Sequence, residues 1–186
     1  MATIREGNQS VLLVVDVQVG VMETVYDAPQ IVKNINTAVE KARSQNIPVI
    51  WVKHADNELI YDSPEWQLMP ELSPADGDVQ IDKQFNSSFE QTSLEETLAQ
   101  LGATHIVLAG AATNWCIRAT AYGALDRGYD LTLIKDAHTT GTMEFEDGTK
   151  IEATDIILEL NVAMKWLSYP GRKNSTAKAE EITFVA

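Results

Sequence analysis

The sequence predicts an α/β protein, a three-layer doubly wound sandwich with a mainly parallel sheet of five or six strands between helices. Three observations carry that expectation. Five short apolar runs recur along the 186 residues. Most are continuously apolar and β-branched, as parallel strands buried on both faces must be. Amphipathic helical patterns separate several of them, and such alternation requires right-handed crossovers that cover both faces of a sheet. A chain of this length removes about 70% of its unfolded surface from water in one core. One domain over residues 1–186 is therefore expected.

The elements follow in order. "VLLVVDV" (11–17) is the first strand, and "APQIVKNINTAVEKARSQN" then puts Ile31, Ile35, Val39 and Ala42 on one helical face. "PVIWVKH" (48–54) and "DVQIDK" (78–83) are the second and third strands. Between them, residues 55–78 carry three prolines, seven acidic residues and no Lys or Arg where a crossover helix belongs. So long a loop is uncommon unless it is functional. "TSLEETLAQLG" reads as a helix with a Ser93/Glu96 capping box, Leu94, Leu98 and Leu101 inward, and Gly102 as its stop. "HIVLAG" (105–110) and "YDLTLIKDA" (129–137) are the fourth and fifth strands, and the helix between them has Ile117, Ala121 and Leu125 at fourfold spacing. "ATDIILELNVAMKWL" aligns Ile156, Leu160, Ala163 and Leu167 on a last helix. The tail "YPGRKNSTAKAEEITFVA" reads as an irregular linker and then a short edge strand over 181–185, paired within the sheet or with a neighbour.

Composition excludes several partners. A formal net charge of -13 and the lack of a basic stripe argue against nucleic acid. The apolar runs fall far short of the roughly 20 residues that cross a bilayer. The start, "MATIREGNQSVLLVVDV", lacks the pattern of a signal peptide, and one Cys makes no internal disulfide. A cytoplasmic protein with a small-molecule ligand, and neither a nucleic-acid nor a membrane partner, is expected.

Ligands of open α/β sheets bind beyond the carboxyl ends of the strands. Asp16 in "VVDVQ" ends the first strand and Lys83 in "QIDKQF" the third. Cys116 lies in the turn after the fourth, and Asp136 and His138 in "KDAHTT" end the fifth. Taken singly these are ordinary, since a lone Cys is most often an inert apolar residue and a strand-end Asp or Lys is most often solvated. Together they weigh differently. A carboxylate emerging from a buried strand is costly unless paired or used. Cys116 falls in the first turn of its helix, where free N–H groups and the dipole lower a thiol pKa, and a nearby ammonium lowers it further.

The segments "LLVVDVQ", "DKQFNSSFEQTSL" and "LAGAATNWCIRATAYGALDRGYDLTLIKDAHTT", in that order and spacing, resemble the isochorismatase-like cysteine hydrolase superfamily, which includes nicotinamidases, N-carbamoylsarcosine amidase and streptothricin hydrolase. The resemblance covers residues 11–140 and is weakest over 55–77 and after 147. It implies a catalytic triad of Asp16, Lys83 and Cys116. It also implies a cis peptide between Ala111 and Ala112 that turns the Ala112 and Cys116 N–H groups toward an oxyanion. Gln18 matches the family's "DxQ" as a residue orienting substrate or Asp, or is a turn element. Phe89 matches a pocket-lining aromatic, or is core. Trp115 walls the pocket or enters a subunit interface.

Two departures refine the expectation. Metal-binding nicotinamidases carry Asp-x-His after the second strand and a further His in the next loop, whereas this chain has "KHADN" and no His between Asp56 and Asp78. His54 and Asp56 alone are too few ligands for zinc, so no metal or other cofactor is expected. Members that open the vinyl ether of isochorismate do not depend on a Cys nucleophile. Cys116 therefore favours a metal-independent cysteine hydrolase that cleaves the C–N bond of an amide, lactam or ureido compound. An isochorismatase-type ether hydrolase and a catalytically silent binding protein are the alternatives. The acidic loop either imposes a field favouring cationic or neutral substrates or is simply solvated. The resemblance, four Trp residues and an open sheet edge point to a homodimer or homotetramer.

Overall fold

Strand β1 (Gln9–Val15) is the spine of the molecule because it is apolar on both faces. Val11, Leu13 and Val15 enter one core, and Leu12 and Val14 enter the opposite one. Each such side chain removed from water contributes roughly 2 kcal/mol. The computed structural model describes residues 7–184.

Strand β1 pairs in parallel with β2 (Val49–His54) on one side and with β4 (Ala103–Ala111) on the other. Strand β3 (Val79–Lys83) lies outside β2, and β5 (Asp130–Thr139) lies outside β4. A short antiparallel ribbon, β6 (Met143–Glu144) with β7 (Lys150–Ile151), stands apart. With β8 (Asn174–Ala177) at the far edge, the main sheet reads β3-β2-β1-β4-β5-β8, parallel throughout. The direction of travel reverses between β1 and β4, which opens a crevice beyond their carboxyl ends.

Helix α1 (Val19–Met22) is a single turn, and α2 (Ala28–Ser44) packs on the face that holds Leu12 and Val14. Pro29 in the first turn of α2 and Lys41 and Arg43 in its last turn suit the helix ends and their dipole. Helices α3 (Leu94–Gln100), α4 (Arg118–Asp126) and α5 (Ala153–Trp166) supply the other face through Leu94, Leu98, Ala121 and Leu160. The capping box expected at Ser93 does not form. Ser93 has φ -82° and ψ 6°, outside the extended region from which a cap side chain reaches back. Glu95 and Glu96 in the first turn supply the favourable charge instead. Gly102, at φ +63°, ends the segment as expected.

The sixth strand is not where the apolar tail suggested. Strand β8 lies in the stretch read as a linker, while residues 181–184 adopt no strand and Val185 lies outside the described residues. Ile182 is buried against the α2 side of the sheet, so the tail's apolar character serves packing. Strand β8 is held by polar contacts: Thr132 and Ser175 hydroxyls lie 2.9 Å apart, and Asn174 Nδ2 donates to the Met164 and Leu167 carbonyls at 2.6 and 2.9 Å. Among the described residues, no helix is long and apolar enough to cross a membrane.

One contact sets the spacing of the central strands. Gly110, paired with Val15, has φ +128°, and a Cβ there would lie 1.9 Å from the Val15 carbonyl oxygen.

His138, near the end of β5, is fully buried and ties the turn after β4 to α5. Its Nε2 lies 3.0 Å from Asn161 Oδ1, and Asn161 Nδ2 donates to the Lys135 carbonyl at 3.1 Å. Nε2 therefore carries the proton, and Nδ1 accepts from the Thr113 hydroxyl at 2.9 Å. Burial holds this imidazole down to about 4. An unfolded histidine titrates near 6.5, so below that pH the unfolded chain takes up a proton that the folded chain refuses. Stability then falls on acidification from about 6.5 toward 4, by roughly 3 kcal/mol at the limit. His138→Gln should flatten this loss, with thermal melts declining less steeply between neutral and mildly acid pH than those of the unsubstituted chain. An equal decline would reject the assignment.

Candidate active site

Three strand ends converge on one buried point. At the end of β1 the chain leaves the sheet through Asp16, whose φ of 54° is left-handed, a region Asp tolerates better than most side chains. The Asp16 N–H still donates to the Val52 carbonyl at 2.8 Å, which fixes the turn against β2. Lys83, the last residue of β3, places Nζ 2.7 Å from Asp16 Oδ2, and neither side chain has appreciable exposure. The same Nζ lies 3.3 Å from Cys116 Sγ and 3.3 Å from His54 Nδ1.

Cys116 stands in a π-type turn, Thr113–Ile117, between β4 and α4. The Ile117 and Trp115 N–H groups both donate to the Ala112 carbonyl at 3.1 Å, which widens the turn. The Ala111–Ala112 peptide before it is cis. The structure thus brings Asp16, Lys83 and Cys116 together. Asp136 is engaged elsewhere, its carboxylate accepting from the Ala179 N–H at 2.8 Å.

The electrostatics differ from the sequence expectation. Burial pushes the Cys116 thiol up to about 12, the Asp16 charge adds to the rise, and Lys83 opposes it. The dipole of a short turn does not outweigh those two effects. Burial likewise raises Asp16, against the pull of Lys83 and the adjacent thiol. Asp16 Oδ1 is buried without a hydrogen-bond partner among the described residues. The resting site is thus a neutral thiol beside a Lys–Asp ion pair with one carboxylate oxygen unused.

The weaker site residues divide. Gln18 is fully buried: its Oε1 accepts from the His54 N–H at 2.7 Å, and its Nε2 donates to the His54 and Trp66 carbonyls at 2.9 and 2.8 Å. It pins the end of β2 and the loop after it. Phe89 packs with Tyr129, rings 6.0 Å apart, in the same apolar cluster as Cys116. Trp115 is 52% exposed.

A cleft of about 410 Å³ reaches Lys83, with Tyr61 and Phe85 exposed on it and Asp82, Gln84 and Gln91 in its walls. A contiguous hollow adds Asp56 and Asn57. Of the seven acidic residues in the loop, Asp56 alone lines either space, and Asp78 instead bonds Arg43 at 2.7 Å and Trp51 Nε1 at 2.9 Å. Backbone N–H groups of Leu59 and Glu58, with His54, lower Asp56 to about 2. Asp82, from β3, was not foreseen because its strand pattern reads as ordinary surface alternation. Phe85 and Gln84 follow Lys83 directly, so proximity in "DKQF" was the available signal.

The donor set does not suit a metal. Among the described residues, no three His, Cys, Asp or Glu side chains cluster. Both ring nitrogens of His54 are taken, Nδ1 by Lys83 and Nε2 by Asp56 Oδ2 at 3.0 Å.

Comparison with known proteins agrees with the fold. The profile of the Isochorismatase domain matches residues 10–156. Streptothricin hydrolase of Streptomyces noursei is 30% identical over 135 residues, covering 69% of this chain and 54% of that protein. Ureidoacrylate amidohydrolase RutB of Klebsiella pneumoniae is 29% identical over 144 residues, covering 60% of this chain and 61% of its own. This chain therefore spans little more than half the length of those relatives. A cysteine hydrolase from Pseudomonas syringae pv. phaseolicola superposes with a TM-score of 0.85 at 20% identity, covering 97% of this chain and 96% of the other. The chain belongs to the isochorismatase family of hydrolases.

Proposed function

We propose that the chain is a metal-independent cysteine hydrolase that cleaves a C–N bond of a small neutral or cationic amide, lactam or ureido compound. The observation that carries this reading is the Lys83 ammonium lying between Asp16 Oδ2 at 2.7 Å and Cys116 Sγ at 3.3 Å, with Asp16 Oδ1 unpartnered. Asp16 has a free lone pair for the thiol proton, and Lys83 stabilises the charge on whichever partner holds it.

In this mechanism the Cys116 thiol passes its proton to Asp16 as Sγ bonds to the substrate carbonyl carbon. The carbonyl π pair moves to oxygen, which the Ala112 and Cys116 N–H groups receive. Collapse re-forms the carbonyl, the C–N bond breaks, and the Asp16 proton goes to the leaving nitrogen. Water then attacks the thioester and gives its proton to Asp16. The second tetrahedral species releases the acid, and Sγ recovers a proton from Asp16. Because the resting thiol is neutral, the nucleophile forms only as attack occurs.

The substrate class rests on the cleft. Asp56 and Asp82 face it, Lys53 alongside Asp82 lies over the Trp66 ring at 3.3 Å, and among the described lining residues the only cation is Lys83. That cation already serves Asp16 and Cys116. A carboxylate substrate such as isochorismate finds no free countercharge here, which disfavours the ether-hydrolase alternative. Tyr61 and Phe85 offer apolar faces to the body of a substrate.

A free, buried thiol suits a reducing compartment, which supports a cytoplasmic location. Leu158, Val162 and Trp166, the last 74% exposed, form one stripe along α5 at fourfold spacing, which supports assembly with a second copy.

Three outcomes test these readings. Cys116→Ala should abolish turnover of an amide library by on the order of 1,000-fold while leaving the circular dichroism melt intact, and mass spectrometry of the unsubstituted protein should trap an acyl adduct on Cys116. Full activity in the variant would reject the nucleophile. In matched substrates, kcat/KM should rank cationic and neutral members above anionic ones, with a gap that narrows as the screening length shortens from about 30 Å at 0.01 M salt to 3 Å at 1 M. Preference for anions would reject the substrate class. Light scattering should find a species heavier than the 20.5 kDa chain at micromolar concentration; only that mass would reject assembly.

A further inference from the structure

Strand β2 lies between β3 and β1, so Lys83 reaches Asp16 by crossing the end of an intervening strand. Adjacent strands are about 4.8 Å apart, and the ammonium must span two such intervals over the carboxyl end of β2. The residue standing there is His54. Its Nδ1 lies 3.3 Å from Lys83 Nζ. An ammonium has three protons and no lone pair, so Nδ1 is the acceptor and carries no proton. The proton then resides on Nε2, which donates to Asp56 Oδ2 at 3.0 Å, and the Leu59 and Glu58 N–H groups hold the Asp56 carboxylate at 2.8 Å. Gln18 clamps the His54 backbone from both sides.

Resting on the cysteine-hydrolase reading, we propose that His54 is a positioning residue: it accepts the third proton of the Lys83 ammonium, in the tautomer set by Asp56, and so aims the other two at Asp16 and Cys116. The three acceptors, Asp16 at 2.7 Å, Cys116 at 3.3 Å and His54 at 3.3 Å, account for every N–H of that ammonium. The charged groups facing His54 are Lys83 from β3, Asp56 from the loop and Asp16 beyond β1. An N–H in place of the Nδ1 lone pair would face the ammonium and remove its third acceptor.

The test reads Cys116 directly, without a known substrate. The second-order rate of Cys116 alkylation by iodoacetamide is measured in EDTA between about pH 5 and pH 9, for the unsubstituted protein and for His54→Ala, His54→Asn and Asp56→Asn. Removing His54 to Ala should slow alkylation roughly 10- to 100-fold near neutral pH, by analogy with the loss of an outer partner of a metal ligand. His54→Asn, whose Oδ1 occupies the place of Nδ1, should recover most of that rate. Asp56→Asn should fall between. Long-range proton–nitrogen NMR should find His54 at neutral pH with Nδ1 bare and Nε2 protonated. The inference is overturned if His54→Ala reacts at the original rate, if NMR finds the proton on Nδ1, or if zinc restores a rate that EDTA removed. A Cys116 that resists iodoacetamide at every pH would overturn the nucleophile reading and this inference with it. A reactive Cys116 indifferent to His54 would overturn this inference alone.

Discussion

The ion pair between Lys83 and Asp16 is the constraint on which the rest of the site depends. Two opposite charges 2.7 Å apart with almost no exposure repay part of each other's desolvation. Removing either partner leaves a bare charge in the core, a change that typically costs about 3 to 5 kcal/mol. The pair also explains why three strands must end at one level. Asp16 comes from β1 and Lys83 from β3, so the order and register of β1, β2 and β3 must hold before the charges can meet. Because the chain reverses direction at β1 and β4, the turn bearing Cys116 opens onto that same pair.

Repayment is incomplete, as Asp16 and the neighbouring thiol show. Asp16 stays raised despite its ammonium partner, so its carboxylate accepts a proton readily. The thiol, pushed up to about 12, is held neutral. A thiol of this kind depends on a neighbouring base to become a nucleophile.

Patterning discloses what is buried on both sides and hides what depends on register. The runs around Leu12, Ile50 and Leu108 are legible as strands because no other element tolerates such continuous apolar character in so few residues. Strand β8 is four residues, Asn-Ser-Thr-Ala, and its place rests on hydroxyl and amide contacts with β5 and α5 that have no sequence signature. Ser93 and Glu96 have the right spacing for a capping box, but the backbone at Ser93 has already turned. Asp16, Lys83 and Cys116 are legible because each ends or follows a strand and their order matches a family. The contact of His54 with Lys83 is not, since it exists only because β2 lies between the strands that carry the ion pair. The height of the thiol pKa is hidden too, because burial in a folded core outweighs the local dipole that position alone suggests.

Gly110 extends this logic to tolerance of change. The backbones of β1 and β4 approach there so closely that the space for one carbon is missing, 1.9 Å from the Val15 carbonyl oxygen. Any side chain would wedge the two strands apart at their carboxyl ends. Asp16 is the residue after Val15, and Cys116 lies in the turn that follows β4, so that wedge would widen the gap between these two side chains. The distance across the crevice is in effect gauged by an absent methyl group. A side chain at position 110 would therefore alter the approach of Asp16 to Cys116 in a chain that still kept its helices.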